Sequence, residues 1–280
     1  MSHRVVIPTA GTGSRLGQIT KYINKSLVSI ALRPTICHLI EQFPKDYEFV
    51  IPLGYKGNIV RDFLELAYPN RKFLFSYVKS YKGKGSGLGL TLLSCEKYLQ
   101  QPFIFLSCDT LVKGKIPKLN YNWMGYANRE DLSNYRTLNV TSEKILDICE
   151  KGEYGPNLRP YIGIAGIYDY NKFWHAMNNG KDKAISQGES YGMRAILENS
   201  KIYAKKFTWY DTGNPKDLAI TRKKYAQSNQ PNILEKENEA IWFVGNNVFK
   251  YSDNTDFIYN RVERVKELSG FVPNITAFKS

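Results

Sequence analysis

The sequence predicts a doubly wound α/β fold with a mostly parallel sheet, and three observations carry that expectation. Apolar, strand-like runs alternate with helix-length segments through the first hundred residues, the pattern of repeated βαβ units. The first run, Val5-Val6-Ile7-Pro8, opens directly onto the stretch Thr9-Ala10-Gly11-Thr12-Gly13-Ser14-Arg15. Another almost wholly apolar run, 103–107, ends two residues before Asp109. Ligands of such folds gather at the carboxyl ends of the strands, so both features stand where chemistry is expected.

The elements follow in order. Residues 5–8 form the first strand and 35–42 a helix; 48–53 is a second buried strand and 58–66 a helix. An alternating run at 72–78 predicts a third strand, 89–99 a helix and 102–107 a fourth strand. The pattern then shortens into β-rich insertions over 136–148, with a glycine-bearing strand at 161–168. Helices at 173–177 and 191–197 precede a strand at 202–208, which leads into Trp209-Tyr210-Asp211-Thr212-Gly213-Asn214-Pro215 and a helix at 217–227. The polar stretch 227–238 reads as a linker. Beyond it, 240–251 predicts a hairpin turning at Asn246-Asn247, and 257–268 an amphipathic helix. The expected organisation is a 1–227 domain, a 228–238 linker and a small 239–280 β-hairpin/helix appendage.

Composition narrows the function classes. A chain of 280 residues, 42% hydrophobic and 23% charged, can bury one large α/β core with an appendage. No apolar run approaches the ~20 residues of a membrane span, and the chain enters its first strand without a signal-peptide pattern. Cys37, Cys95, Cys108 and Cys149 lie far apart without metal-ligand spacing, which predicts reduced core residues in a cytoplasmic protein. The net charge of +13 is scattered rather than clustered, arguing against nucleic acid. A positive cleft steering an anionic nucleotide and an anionic acceptor, a lysine-rich genome or a membrane-surface partner would each explain it, and composition does not choose between them.

The glycine stretch is the most informative motif. Small residues let backbone N–H groups approach a polyphosphate, a following helix start adds its positive end, and Arg15 and Lys25 supply mobile charge. A dinucleotide fingerprint would need a third glycine where Leu16 stands, and a P-loop would need Gly-Lys-Ser/Thr. Asp109 is costly beside an apolar strand unless it has a partner at the tip, or caps a turn. Asp211, before Gly213 and Pro215, reads either as a turn former or as a second site carboxylate.

Together these pieces resemble the nucleotidylyltransferase superfamily, whose signature is Gly-x-Gly-x-Arg followed by a Lys-x-Leu element. Here they read Gly11-x-Gly13-x-Arg15 and Asn24-Lys25-Ser26-Leu27, with Asn24 where the family usually has proline. Asp109 matches the family's aspartate after the fourth strand, and Asp211, Gly213, Pro215 and Leu218 match its late Trp-x-Asp-x-Gly-x-Pro-x-x-Leu segment. Glu150-Lys151 resembles the Glu-Lys-Pro element, with Gly152 replacing the proline, and the 83–89 glycine loop resembles the segment that meets the nucleobase. The resemblance spans 5–218. It implies a Rossmann-like, GT-A-like nucleotidyltransferase fold and Mg²⁺-dependent transfer of NMP from an NTP to a phosphorylated amino alcohol, polyol or sugar, with release of pyrophosphate. On that basis Ala10, Gly11, Thr12, Gly13, Ser14, Arg15, Lys25, Ser86 and Gly87 bind the nucleotide, and Asp109 and Asp211 hold the metal. Arg15 would hold the leaving phosphates, Lys25 the α-phosphate and Lys151 the attacking phosphate, with Glu150 and Gly163 on the acceptor.

CTP is the favoured nucleotide, although no glutamine of the kind that reads a pyrimidine lies between Asn70 and Gly85. The 239–280 piece resembles the opening N-lobe of an aminoglycoside/choline-kinase-like phosphotransferase, expected either as a domain cut short within a bifunctional protein or as a small module packing on the transferase or a second copy of it. A fused kinase suggests an acceptor phosphorylated next door, for an activated precursor of a surface polysaccharide such as a capsule. Two alternatives stand beside this reading. One is a sugar-1-phosphate enzyme making UDP-, GDP- or dTDP-sugars; the other is a non-catalytic nucleotide-sensing subunit, which would be expected to lack Lys25, Asp109 or Asp211. A homo-oligomer is compatible with either.

Overall fold

The computed structural model describes residues 3–229, 231, 233 and 236–279. Its centre is a nine-stranded sheet among those residues. The strands are β1 (Arg4–Val6), β2 (Glu48–Leu53), β3 (Lys72–Tyr77), β4 (Phe103–Leu106), β5 (Asn122–Tyr126), β6 (Thr137–Thr141), β7 (Lys144–Cys149), β8 (Leu158–Ile167) and β9 (Ile202–Lys206). They lie in the order β3-β2-β1-β4-β8-β5-β9-β7-β6. The half containing β1 to β4 is parallel, as expected.

The other half corrects the expectation of a mostly parallel sheet. β8 runs antiparallel to both β4 and β5, and β7 antiparallel to β9 and β6, while β9 is parallel to β5. Hydrophobic pattern reports burial but not strand direction, so sequence reading could not see this. It also missed β5, whose Asn122 and Trp123 are fully enclosed.

Burial explains why the first strands read as continuous apolar runs. Every residue of β2 is buried, with helix Gly57–Ala67 on one face and a second core on the other. Even Glu48 is enclosed, and it is compensated by Arg4 at 3.0 Å and by an ion pair with Lys72. Helices Thr35–Ile40 and Gly57–Ala67 cover one face through Ile36, Leu39, Val60 and Leu64. Helices Leu88–Leu93, Tyr170–Asn179 and Glu189–Leu197 cover the other through Leu92, Phe173, Met193 and Ile196. The sheet is therefore wound on both sides.

Three local expectations change. The 89–99 helix stops at Leu93, because the Ser94 hydroxyl donates back to the Thr91 carbonyl at 2.7 Å, and a separate turn follows at Glu96–Tyr98. The 202–208 strand breaks at Phe207, and Thr208–Asp211 leaves the sheet to pair with Thr110–Lys113 as a ribbon. Part of the expected linker, residues 230, 232, 234 and 235, lies outside the described residues.

The hairpin forms from Glu239–Val244 and Asn247–Ser252. It rests on the larger core: Trp242 is buried, and Trp242 and Phe249 both meet Phe63 edge-on at 5.2 and 5.3 Å. The Phe243 N–H donates to the Leu32 carbonyl at 2.9 Å, and the Tyr251 hydroxyl to the Tyr22 carbonyl at 3.0 Å. Helix Thr255–Glu267 buries none of its residues. No helix among the described residues is long and apolar enough to cross a membrane.

Candidate active site

The site is assembled at the carboxyl ends of β1 and β4 and at one end of the ribbon. After β1, Ala10 is buried and Gly13 adopts φ +68°, a left-handed conformation that glycine tolerates. Glycine is needed here for space as well. A Cβ on Gly13 would stand 2.9 Å from Thr20 Cγ2 and 3.0 Å from Lys25 Cβ, so the turn closes directly over Lys25. The expected helix start is reduced to a three-residue turn, Ser14–Leu16, because Gly17 (φ +59°) interrupts it before the short helix Ile19–Tyr22. Little helix dipole is available there, so charge at the turn must come from Arg15, Lys25 and single N–H groups.

Lys25 lies in the turn Lys25–Leu27, capped by Asn24. The Asn24 amide donates to the Thr9 carbonyl (2.9 Å) and the Tyr55 carbonyl (2.6 Å), while its oxygen accepts from the Ser26 N–H and hydroxyl at 2.9 and 2.8 Å. Four hydrogen bonds thus fix the residue before the lysine, at φ −70°, a value proline would also adopt. Lys25 forms a close ion pair with Asp109, both side chains being 14% exposed. The Ser107 hydroxyl donates to the other Asp109 oxygen at 2.6 Å, and Arg15 stands 3.7 Å away. Burial opposes ionisation of Asp109, but the Lys25 ammonium, these hydrogen bonds and Arg15 hold its carboxyl at about 2. Burial likewise works against the Lys25 charge, and Asp109 overcomes it, raising the ammonium above its ordinary value.

Asp211, more than a hundred residues away in the chain, arrives through the ribbon opposite Thr110. The Thr212 N–H and hydroxyl both donate to the Asp109 carbonyl, at 3.0 and 3.1 Å. The two carboxylates face one point: a Cβ on Gly213 would lie 2.7 Å from Asp109 Oδ2, 3.0 Å from Asp211 Oδ1 and 3.3 Å from the Arg15 guanidinium. Burial first and the neighbouring Asp109 charge second raise the Asp211 pKa. Asp211 accepts from the Gly213 N–H at 2.7 Å and from the Tyr135 hydroxyl at 2.9 Å. Two carboxylates facing one point suit Mg²⁺, which takes few protein ligands and completes its shell with phosphates and water. Among the described residues no group of three or more His, Cys, Asp or Glu could hold a metal unaided.

Of the remaining expected residues, Gly163 packs against Ser107 beside this centre, whereas Gly87 lies against Ile185 and Glu150 between two arginines. Ser86 and Gly87 sit in the loop before helix Leu88–Leu93, where the Ser86 hydroxyl donates to the Gly83 carbonyl at 2.7 Å. That loop follows β3, and Tyr81 meets Tyr55 with ring centroids 6.4 Å apart. Gly163 (φ +76°) lies against Ser107, where a Cβ would come within 2.9 Å of its Cβ. Glu150 is braced by Arg136 (3.2 Å) and Arg194 (2.7 Å), whereas Lys151 sits on an exposed turn without a polar partner among the described residues. Sequence reading missed Tyr135, Arg129, Asp217 and the Asn24 hub. Tyr135 and Arg129 lie in an irregular loop with no periodicity to find, while Asn24 was visible only as a departure beside the lysine.

No protein-family model matches the chain. The fold is that of the nucleotidylyltransferases, and the chain's relatives and structural neighbours are members of that class. UDP-glucose pyrophosphorylase complexed with UDP-glucose superposes with a TM-score of 0.66 at 19% identity, covering 80% of this chain and 98% of that one. The CTP:phosphocholine cytidylyltransferase of Streptococcus pneumoniae superposes with a TM-score of 0.67 at 18% identity, covering 81% and 100%. The Bifunctional protein GlmU of Methanococcus vannielii is 25% identical over 252 residues, 86% of this chain. The present chain spans 59% of that relative's length.

Proposed function

We propose that the chain transfers a nucleoside monophosphate from an NTP to the phosphate of a small acceptor, releasing pyrophosphate. The convergence of Asp109 and Asp211 beside the glycine turn, with Lys25 and Arg15 against them, carries this reading. An acceptor phosphate is already anionic near pH 7, so no protein base is required. Catalysis is then positioning and charge stabilisation. Asp109 and Asp211 would hold Mg²⁺, which supplies Lewis-acid stabilisation of phosphate charge when bound. Lys25 orients and neutralises the α-phosphate, Arg15 holds the leaving phosphates, and Lys151, without a polar partner among the described residues, meets the attacking phosphate. The backbone from Ala10 to Ser14, with Ser86 and Gly87, cradles the nucleotide. Glu150 and Gly163 border the acceptor.

We read 1–227 as the transferase unit and 239–280 as an appendage anchored on it through Trp242. CTP, with a phosphorylated amino alcohol, polyol or sugar as acceptor, is the first combination to test. An activated precursor for a surface polysaccharide, made in the cytoplasm without nucleic-acid or membrane partners, is the setting this suggests. A sugar-1-phosphate acceptor is the second reading, favoured by the likeness to UDP-glucose pyrophosphorylase. A pyrophosphate-release screen of four NTPs against phosphorylated sugars, polyols and amino alcohols tests all of this. Release above background with one pair supports transfer; tight NTP binding without release from any pair would leave only a nucleotide sensor.

A further inference from the structure

We infer that Arg129 occupies, from within the chain, an aromatic corner beside Asp211 and thereby selects an acceptor whose body is uncharged over one carrying an ammonium group. This rests on the nucleotidyl-transfer reading and narrows its acceptor class. The rings of Tyr135 and Trp209 meet edge to face, 5.2 Å between centroids and 85° between planes. The Arg129 guanidinium lies over both, 4.9 Å from the Tyr135 centroid and 5.5 Å from that of Trp209. A cation set against converging aromatic faces is how proteins recognise quaternary ammonium ligands. Here the chain supplies its own cation.

That cation is pinned. Its terminal nitrogen donates to both oxygens of Asp217, at 3.0 and 3.2 Å, and Asp217 is itself buried and accepts from the Asn214 amide at 2.6 Å. Charge-assisted contacts to a buried carboxylate are strong and directional. The corner also adjoins the site. Trp209 precedes Asp211 by two residues on the same strand, so their side chains share a face of the ribbon. The Tyr135 hydroxyl donates to Asp211, and its neighbour Arg136 holds Glu150. The corner therefore stands beside Asp211, and the chain runs from it through Arg136 to Glu150. An ammonium arriving there would meet a like charge and find the ring faces taken, a repulsive element of the kind that builds specificity. A hydroxylated body meets guanidinium N–H donors, which its oxygens can accept.

The test uses tetramethylammonium chloride as probe and tryptophan fluorescence as readout, with a Trp209→Phe background assigning the signal. Wild type and Arg129→Lys are expected to show no saturable change, and Arg129→Ala a saturable one that disappears in Arg129→Ala/Trp209→Phe. Arg129→Gln, which can still hydrogen-bond Asp217 but lacks the charge, replaces alanine if that variant does not fold. In turnover, the wild-type preference for sugar or polyol phosphates over phosphocholine in kcat/KM should shrink about tenfold in the uncharged variants. Saturable probe binding to wild type, phosphocholine as its best acceptor, or an unchanged preference after loss of the charge would each overturn the inference. Absence of pyrophosphate release by wild type with every pair would instead overturn nucleotidyl transfer, and the fluorescence arm would still report on the corner.

Discussion

The two halves of the candidate site, which we propose serve the donor and the acceptor, are built differently. On the donor side, Lys25 and Asp109 are nearly enclosed, paired with each other and tied through Asn24, Ser107 and Gly13 to the ends of two strands. On the acceptor side, Glu150 is half exposed between two arginines, and Lys151 stands on a turn without a polar partner among the described residues. The contrast separates two tasks. Stabilising phosphate charge needs groups fixed before the reaction, because preorganised charge costs no rearrangement in the transition state. Recognising one acceptor among many needs an edge that can change without disturbing the core.

The largest test removes the donor-side cation. Lys25→Ala should lower the rate of pyrophosphate release by about two to three orders of magnitude per folded molecule. It should also destabilise the fold by about 3–5 kcal/mol, because Asp109 would be left enclosed without its main counter-charge. Turnover within threefold of wild type would remove Lys25 from the chemistry. Asp211→Asn should cost a comparable factor in rate while the melting temperature holds or rises, because burial and the Asp109 charge already disfavour the Asp211 carboxylate.

Asp109→Asn should do the opposite to stability. The Asp109 carboxyl sits at about 2 when folded against an ordinary value of about 4. Its contribution is therefore present above pH ~4 and lost as pH falls from ~4 towards ~2. Thermal melts across that window should show the wild-type advantage over Asp109→Asn fading with acidity, and a constant difference would contradict the pairing. Smallest of all, Glu150→Gln should raise the acceptor KM severalfold and shift stability by about 1 kcal/mol or less, since its pairs are solvent-exposed. A loss as large as that of Lys25→Ala would mean the acceptor half is as rigid as the donor half.

Much of the donor half was legible in the chain, because its parts are local. Strand, glycine turn, Arg15 and Lys25 lie within about twenty-five residues, and their spacing alone places them at one strand end. Asp109 was legible from the cost of a carboxylate beside an apolar strand. The acceptor half was readable only through resemblance at Glu150-Lys151, and the Tyr135–Arg129–Asp217 brace was not readable at all. It depends on a loop between β5 and β6, and β5 itself escaped notice. The appendage divides in the same way: the hairpin's alternation and turn were visible, but that Trp242 would enter the main core was not.

By itself, then, the sequence determined an α/β chain with a glycine turn after its first strand and two cations, Arg15 and Lys25, close beside it. Local geometry and burial cost are written in spacing and residue type, so no tertiary knowledge is needed to read them. That Asp211 meets Asp109 was reachable only through the family resemblance, and tertiary structure alone decided that the far half of the sheet carries antiparallel pairings and that Arg129 closes the aromatic corner. Arg129 and Trp209, like the strands β8 and β4 or β8 and β5, are dozens of positions apart, and such contacts are selected by the packing of the whole sheet rather than by any segment's own preference.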